Sequence, residues 1–211
     1  MIIIIRRSRE SHMWSLFKRK VTVDEAAEAL YAIMGKDDKA RWLSQLSTVP
    51  EIDLVRAGDE LLFLDFFAIY FSLKFTQSPG WSDKGILVFE KFFSLFLSWL
   101  AHFWESKNAG TRDDAFNTLD ARLKAYGERI NEPSSADPEK MLRSIGETFA
   151  IYAFLDDTYT GGEGRLREDR FLAFKRKLSL DHDEIAISVG AEAFNYRIQL
   201  LYDFFDSYKL K

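Results

Sequence analysis

The chain has 211 residues, a formal net charge of −4, 19 phenylalanines and no cysteine. An acidic balance excludes general nucleic-acid binding, which needs a surplus of Lys and Arg to neutralise phosphates. A cysteine-free composition excludes disulfides, thiolate zinc sites and cysteine nucleophiles together, and predicts a cytoplasmic chain.

The first residues read MIIIIRRSRESHM. A secretory signal places its basic residues before the apolar run, and here the order is reversed. Four isoleucines also fall far short of the roughly 20 residues a bilayer requires. His12-Met13 is what a CATATG cloning site encodes, so residues 1–12 are read as an expression-vector scar and Met13 as the start. Without that segment the net charge of residues 13–211 is −6. Next come Trp14, Phe17, Lys18, Arg19 and Lys20, in which aromatics beside three cations form a candidate for weak peripheral contact with an anionic membrane.

Thr22-x-x-Glu25 is a capping box and predicts a helix through Met34, ended by Gly35. A short helix over about 37–47 presents Trp42, Leu43 and Leu46. The third helix runs from about Glu51 to Phe75, and the fourth from Ser82 to about Ser106. Both are apolar on most sides, which predicts two helices at the centre of a bundle. Asp65 and Lys74 interrupt the first and Glu90, Lys91 and His102 the second, against a membrane-spanning reading. Thr111-x-x-Asp114 opens a fifth helix with Phe116, Leu119, Leu123, Tyr126 and Ile130 on one stripe. Asp137-Pro138 opens a sixth, which ends before Gly161-Gly162, and a shorter helix follows over about 166–178. The last opens at Asp181-x-x-Glu184 and carries a seam of Ile187, Ala191, Phe194, Ile198, Leu201, Phe205 and Tyr208. Its 3.5-residue average suits lengthwise packing inside a bundle, or a dimer seam.

No strand-like alternation of useful length is present. The expected fold is therefore all-α: one domain over 13–211, a bundle of about seven or eight helices around aromatic-rich central ones. Phe67-Ala68-Ile69-Tyr70 recurs as Phe149-Ala150-Ile151-Tyr152 at an offset of 82, with Gly80 matching Gly162. This pattern predicts a duplicated helical hairpin over 51–107 and 137–178.

Histidine-based metal binding is not expected, because only His102 and His182 remain after the scar and no Glu-x-x-His occurs. His102 is expected as a hydrogen-bonded core or boundary residue and His182 as an exposed one. Asp65 and Glu90 stand among aromatics, where a carboxylate must be paired, protonated or part of a site. One reading pairs them with Lys74, Lys91 or an arginine from another helix. The other gathers Asp65, Glu147, Asp156 and Asp157 into a carboxylate cluster holding Mg²⁺ for phosphate chemistry. Gly161-Gly162-Glu163-Gly164 lacks the Gly-Lys-Ser/Thr ending of a phosphate loop and reads as a connector. Arg165, Arg167, Arg170, Lys175, Arg176 and Lys177 give a local +4 against Glu168 and Asp169. Such a run is either a solvated helix face or a docking patch for an anionic partner.

Three functions follow as expectations. The first is a non-enzymatic cytoplasmic helical protein that acts by protein–protein interaction, including as a homodimer. The second is the Mg²⁺-dependent phosphate-handling enzyme. The third is a carrier of an apolar ligand in the aromatic core.

Overall fold

The helix starts marked at Thr22, Thr111 and Asp137 are built by those residues. The third helix is capped by Asp53 and not opened by Glu51, the fourth follows Lys84 with no side-chain cap, and the last begins at Leu180, before Asp181. In the computed structural model, which describes residues 19–34, 39–75, 81, 83–107, 110–131, 137–154 and 180–211, helix α1 spans Val23–Met34. Its capping box is closed in both directions: the Thr22 N–H donates to Glu25 Oε2 at 2.7 Å, and the Glu25 N–H donates to Thr22 Oγ1 at 3.2 Å. Helix α2 is Lys39–Leu46. Asp53 Oδ1 accepts from the Val55 and Arg56 N–H groups and opens α3, Leu54–Phe75. Helix α4, Gly85–Ser106, starts on a turn in which the Trp81 carbonyl accepts the Gly85 N–H at 2.7 Å. Thr111 and Asp114 form the second reciprocal box at α5, Arg112–Asn131. Asp137 caps α6, Pro138–Phe154, and α7 runs Leu180–Ser207.

The class is all-α, with one addition that the sequence does not announce. Strands β1 (Arg19–Val21) and β2 (Tyr208–Leu210) pair in parallel, Val21 opposite Leu210. Three residues are too few to carry a readable alternation. Trp81, fully buried, locks this corner: its Nε1–H donates to the Tyr208 carbonyl at 3.0 Å, and its ring packs on Phe204 and Phe205. Tyr208 accordingly belongs to β2 and not to the last helix.

Helix α3 is the axis of the bundle and touches α1, α2, α4, α5, α6 and α7. Residues 60–69 are buried on every side. Phe66 stacks on Phe92 and Phe96 of α4 at 5.7 and 4.9 Å. Phe67 lies between Tyr126 of α5 at 5.1 Å and Phe194 of α7 at 5.8 Å. Each ring buried this way stabilises the fold by roughly 1.5–3 kcal/mol.

The expectation of two central helices holds for α3 and needs correcting for α4. Val88, Phe92, Phe96 and Leu100, four apart, form one buried stripe against the bundle. The opposite side of α4 faces outward, so it is a peripheral helix with apolar residues on two sides.

Helices α6 and α7 run parallel and meet backbone to backbone. A Cβ at Gly146 would lie 2.1 Å from the Ile187 carbonyl oxygen, and one at Gly190 would lie 2.7 Å from Phe149 Cβ. Only glycine permits that approach. The α7 seam of Ile187, Phe194, Ile198, Leu201 and Phe205 is buried within the bundle, where α7 packs on α3 and α6. Of the duplicated tetrapeptides, Phe67-Ala68-Ile69-Tyr70 sits in α3 and Phe149-Ala150-Ile151-Tyr152 in α6. Residues 1–18, Asp156-Asp157, the glycine run 161–164, the helix over 166–178 and the basic run 165–177 lie outside the described residues. Arg19 and Lys20 lie in β1 and are exposed.

Candidate functional site

Of the acids singled out from the sequence, Asp65 and Glu147 take separate partners, and Asp156 and Asp157 lie outside the described residues. Asp65 is buried on α3 and is held by Arg197 of α7 in a two-toothed pair: Nε donates to Oδ1 at 2.9 Å and Nη2 to Oδ2 at 2.8 Å. Arg197 Nη1 also donates to the Ile33 carbonyl at 3.1 Å, which ties the end of α1 to the same pair. Glu147 lies on α6 beside Arg143, Nε to Oε1 at 3.5 Å, and Arg143 also bonds Glu184 on α7. Glu90 is exposed on the outer side of α4, not buried among aromatics. Lys74 donates to the Tyr70 hydroxyl at 2.8 Å, and Lys91 pairs with Asp24 at 3.3 Å, so neither lysine serves Asp65. Among the described residues no group of three His, Asp or Glu is placed to hold a metal ion. His102 is exposed, because α4 is peripheral, and His182 is half-buried with Nδ1 2.9 Å from Glu51 Oε2.

A second buried polar group was not anticipated from the sequence. Glu60, five residues before Asp65 on α3, accepts from Arg122 Nε at 2.8 Å and from the Tyr126 hydroxyl at 2.7 Å. The Arg122 guanidinium lies 3.5 Å from the centre of the Tyr152 ring, an arrangement that favours a cation over an aromatic face. Burial raises the Glu60 carboxyl above its ordinary range, while the charge and hydrogen bonds of Arg122 and Tyr126 pull it back. Tyr126 is pushed well above the ordinary tyrosine range, first by burial and then by the neighbouring carboxylate. The signal in the sequence was an acid at the edge of an apolar run, DELLFL, and it carried no hint of which helix supplies the arginine. The two arginine–carboxylate pairs link α3 to α5 and α7; as in other buried pairs, breaking either leaves a costly lone charge.

Rings of the aromatic core stack on one another, and a cleft opens between α3 and α5. Its volume is about 400 Å³, and Phe67, Tyr70, Phe71 and Phe75 line it together with the charged Lys74, Asp120, Lys124 and Glu128, a mixed wall and not an apolar enclosure.

The outer face of α4 is the surface that stands apart. Leu87, Leu95, Trp99 and Phe103 are 51%, 41%, 38% and 37% exposed on a helix whose other side is fully packed. Leu95, Trp99 and Phe103 are four residues apart and so lie in one line. Their rings are ordered against each other: Trp99 stacks on Phe103 at 5.6 Å and 11°, and Phe96 supports Trp99 at 5.7 Å. Single exposed apolar residues are ordinary, but a contiguous line of them marks a contact surface. Exposed Glu90, Lys91, Ser94, Ser98, His102 and Glu105 alternate with this line along the helix. By length and composition α4 is also a helix that could cross a membrane, but its buried stripe is committed to the bundle. The sequence did contain this face, as a second four-apart series beside Val88-Phe92-Phe96-Leu100; a helix apolar all round reads equally well as buried.

Comparison with known proteins finds no matching family model, no matching curated protein and no matching solved structure.

Proposed function

We propose that the chain is a cytoplasmic interaction protein that binds another protein through the outer face of α4. The observation that carries this reading is the ordered line Leu95, Trp99 and Phe103, exposed on a helix otherwise built into the core. Aromatic anchors of this kind supply most of the energy in protein interfaces, and the polar residues around them supply the rim. A membrane surface fits less well, since the same face carries Glu90 and Glu105 against Lys91 and Lys107, a balance of zero, and interfacial helices carry a cationic surplus. Catalysis by a carboxylate cluster is disfavoured because Asp65 and Glu147 are each engaged by an arginine.

The test is a comparison of wild type with Trp99→Glu as immobilised baits in extract of the source cells. Both should be folded, the variant melting somewhat lower for want of the Trp99 stacking on Phe96 and Phe103, and at least one protein partner should be retained by wild type and lost by the variant. An identical set of retained proteins would refute the assignment of this face.

A further inference from the structure

Resting on the reading of α4 as a binding face, we propose that its partner is a second copy of this chain, docked antiparallel about a two-fold axis at Ser98. The pattern of charge along the helix selects this arrangement. Lys91 stands seven residues before Ser98 and Glu105 seven residues after it, all three exposed. Seven residues are close to two helical turns, so the three share one ridge. In an antiparallel pair centred on Ser98, residues equally distant from the axis face one another. Each Lys91 then meets the other copy's Glu105, twice by symmetry. A parallel pair would set Lys91 on Lys91 and Glu105 on Glu105, which repel.

The apolar line agrees with the same axis. Leu95 lies three residues before it and Trp99 one after, so along the seam the side chains alternate between copies: Leu95, Trp99 of the second copy, Trp99, Leu95 of the second copy. Phe103 of each copy closes one end, over the partner's Leu95. A two-fold rotation about an axis across the helices keeps this line on one side in both copies, so the two lines interdigitate and do not miss each other. At the centre stands Ser98, small enough to let the helices approach at the near end of the usual 8–10 Å spacing, and Ser94 lies opposite His102 of the second copy. Lys91 already contacts Asp24 of its own α1 at 3.3 Å in an exposed pair. An ammonium has three donors, so Glu105 of the second copy joins this contact without displacing it.

The absence of cysteine from the chain makes the geometry directly testable. Ser98→Cys places one thiol on the axis of each copy, and mild oxidation should give a disulfide-linked dimer. Ser188→Cys, exposed on α7, should stay monomeric under the same treatment. In sedimentation equilibrium, Lys91→Glu or Glu105→Lys alone should weaken self-association about tenfold, and the two together should restore it. A wild type that is monomeric at about 100 µM, together with no Ser98→Cys cross-link, overturns the dimer. If that result comes with a different protein lost on Trp99→Glu, the α4 face stands and only the second copy is wrong. If no partner depends on Trp99 either, both readings fall. Co-sedimentation of wild type, but not Trp99→Glu, with vesicles of phosphatidylcholine and phosphatidylglycerol would assign the face to a membrane and overturn the dimer.

Discussion

Asp65 is the residue on which the structural and catalytic readings differ most, and its pair with Arg197 gives a calculable prediction. Both residues are nearly inaccessible, 7% and 2% exposed, and the guanidinium meets the carboxylate through two bonds of 2.9 and 2.8 Å. Replacing Arg197 by Met leaves the carboxylate buried without its guanidinium, a change that costs about 3–5 kcal/mol; Asp65→Asn strands the guanidinium at a similar cost. Replacing both together, Asp65→Leu with Arg197→Met, removes the two charges and fills the space with apolar atoms. What the double variant still loses includes the Arg197 bond to the Ile33 carbonyl at 3.1 Å, about 1–2 kcal/mol, and the attraction of Asp65 for Lys39. The double variant should therefore be more stable than either single one, with a coupling of about 4 kcal/mol or more. Urea unfolding followed by tryptophan fluorescence reads all four proteins, and Arg197→Lys supplies a milder single variant that keeps a cation. Costs of the two single changes that simply add in the double would refute the pairing. A neutral Asp65→Asn would refute it as well, and would return Asp65 to the list of catalytic candidates.

Other outcomes follow from the same geometry. Gly146→Ala and Gly190→Ala force a Cβ to within 2.1 Å of the Ile187 carbonyl and 2.7 Å of Phe149 Cβ. Each should lower stability by about 2–3 kcal/mol or more in denaturant melts. Gly127→Ala, on α5, meets nothing within 4 Å and should raise stability by about 0.5–1 kcal/mol through helix propensity alone. Hydrogen bonds from Thr22 hold the Glu25 carboxyl below its ordinary range, and those from Thr111 do the same for Asp114. A depressed carboxyl stabilises the fold above its unfolded value and loses that contribution as pH falls through the folded one. The stability gap between wild type and Glu25→Gln should thus be constant from pH 6 to 8 and shrink as pH drops below about 4. A gap that persists in acid contradicts the reciprocal cap.

Local rules were the most legible part of the chain. Thr22/Glu25, Thr111/Asp114 and Asp137 each start the helix they announce, because a cap is settled by residues three apart. Periodicity identified the buried side of α7, since Ile187 to Phe205 face one groove of the bundle. It could not separate α3 from α4. Both are apolar on several sides, and which of them lies inside depends on how many helices surround it, a property of the whole assembly. Asp65 could be named as a buried acid, and an arginine from another helix was among its expected partners. That the arginine is Arg197, 132 residues away, is set by the docking of α7 on α3. The Glu60–Arg122–Tyr126 group was missed for the same reason: its members come from α3 and α5, and no spacing along the chain brings them together. The α4 face was present as a four-apart series, but only the position of α4 at the periphery turns that series into a surface.

Hydroxyl-radical footprinting over a concentration series tests the role of that surface most directly. If α4 is the binding face between copies, oxidation of Trp99 and Phe103 should fall as protein concentration rises, and Phe75, 36% exposed at the end of α3, should be oxidised at a constant rate. Equal oxidation of Trp99 at every concentration, or protection that moves to another helix, would contradict the account.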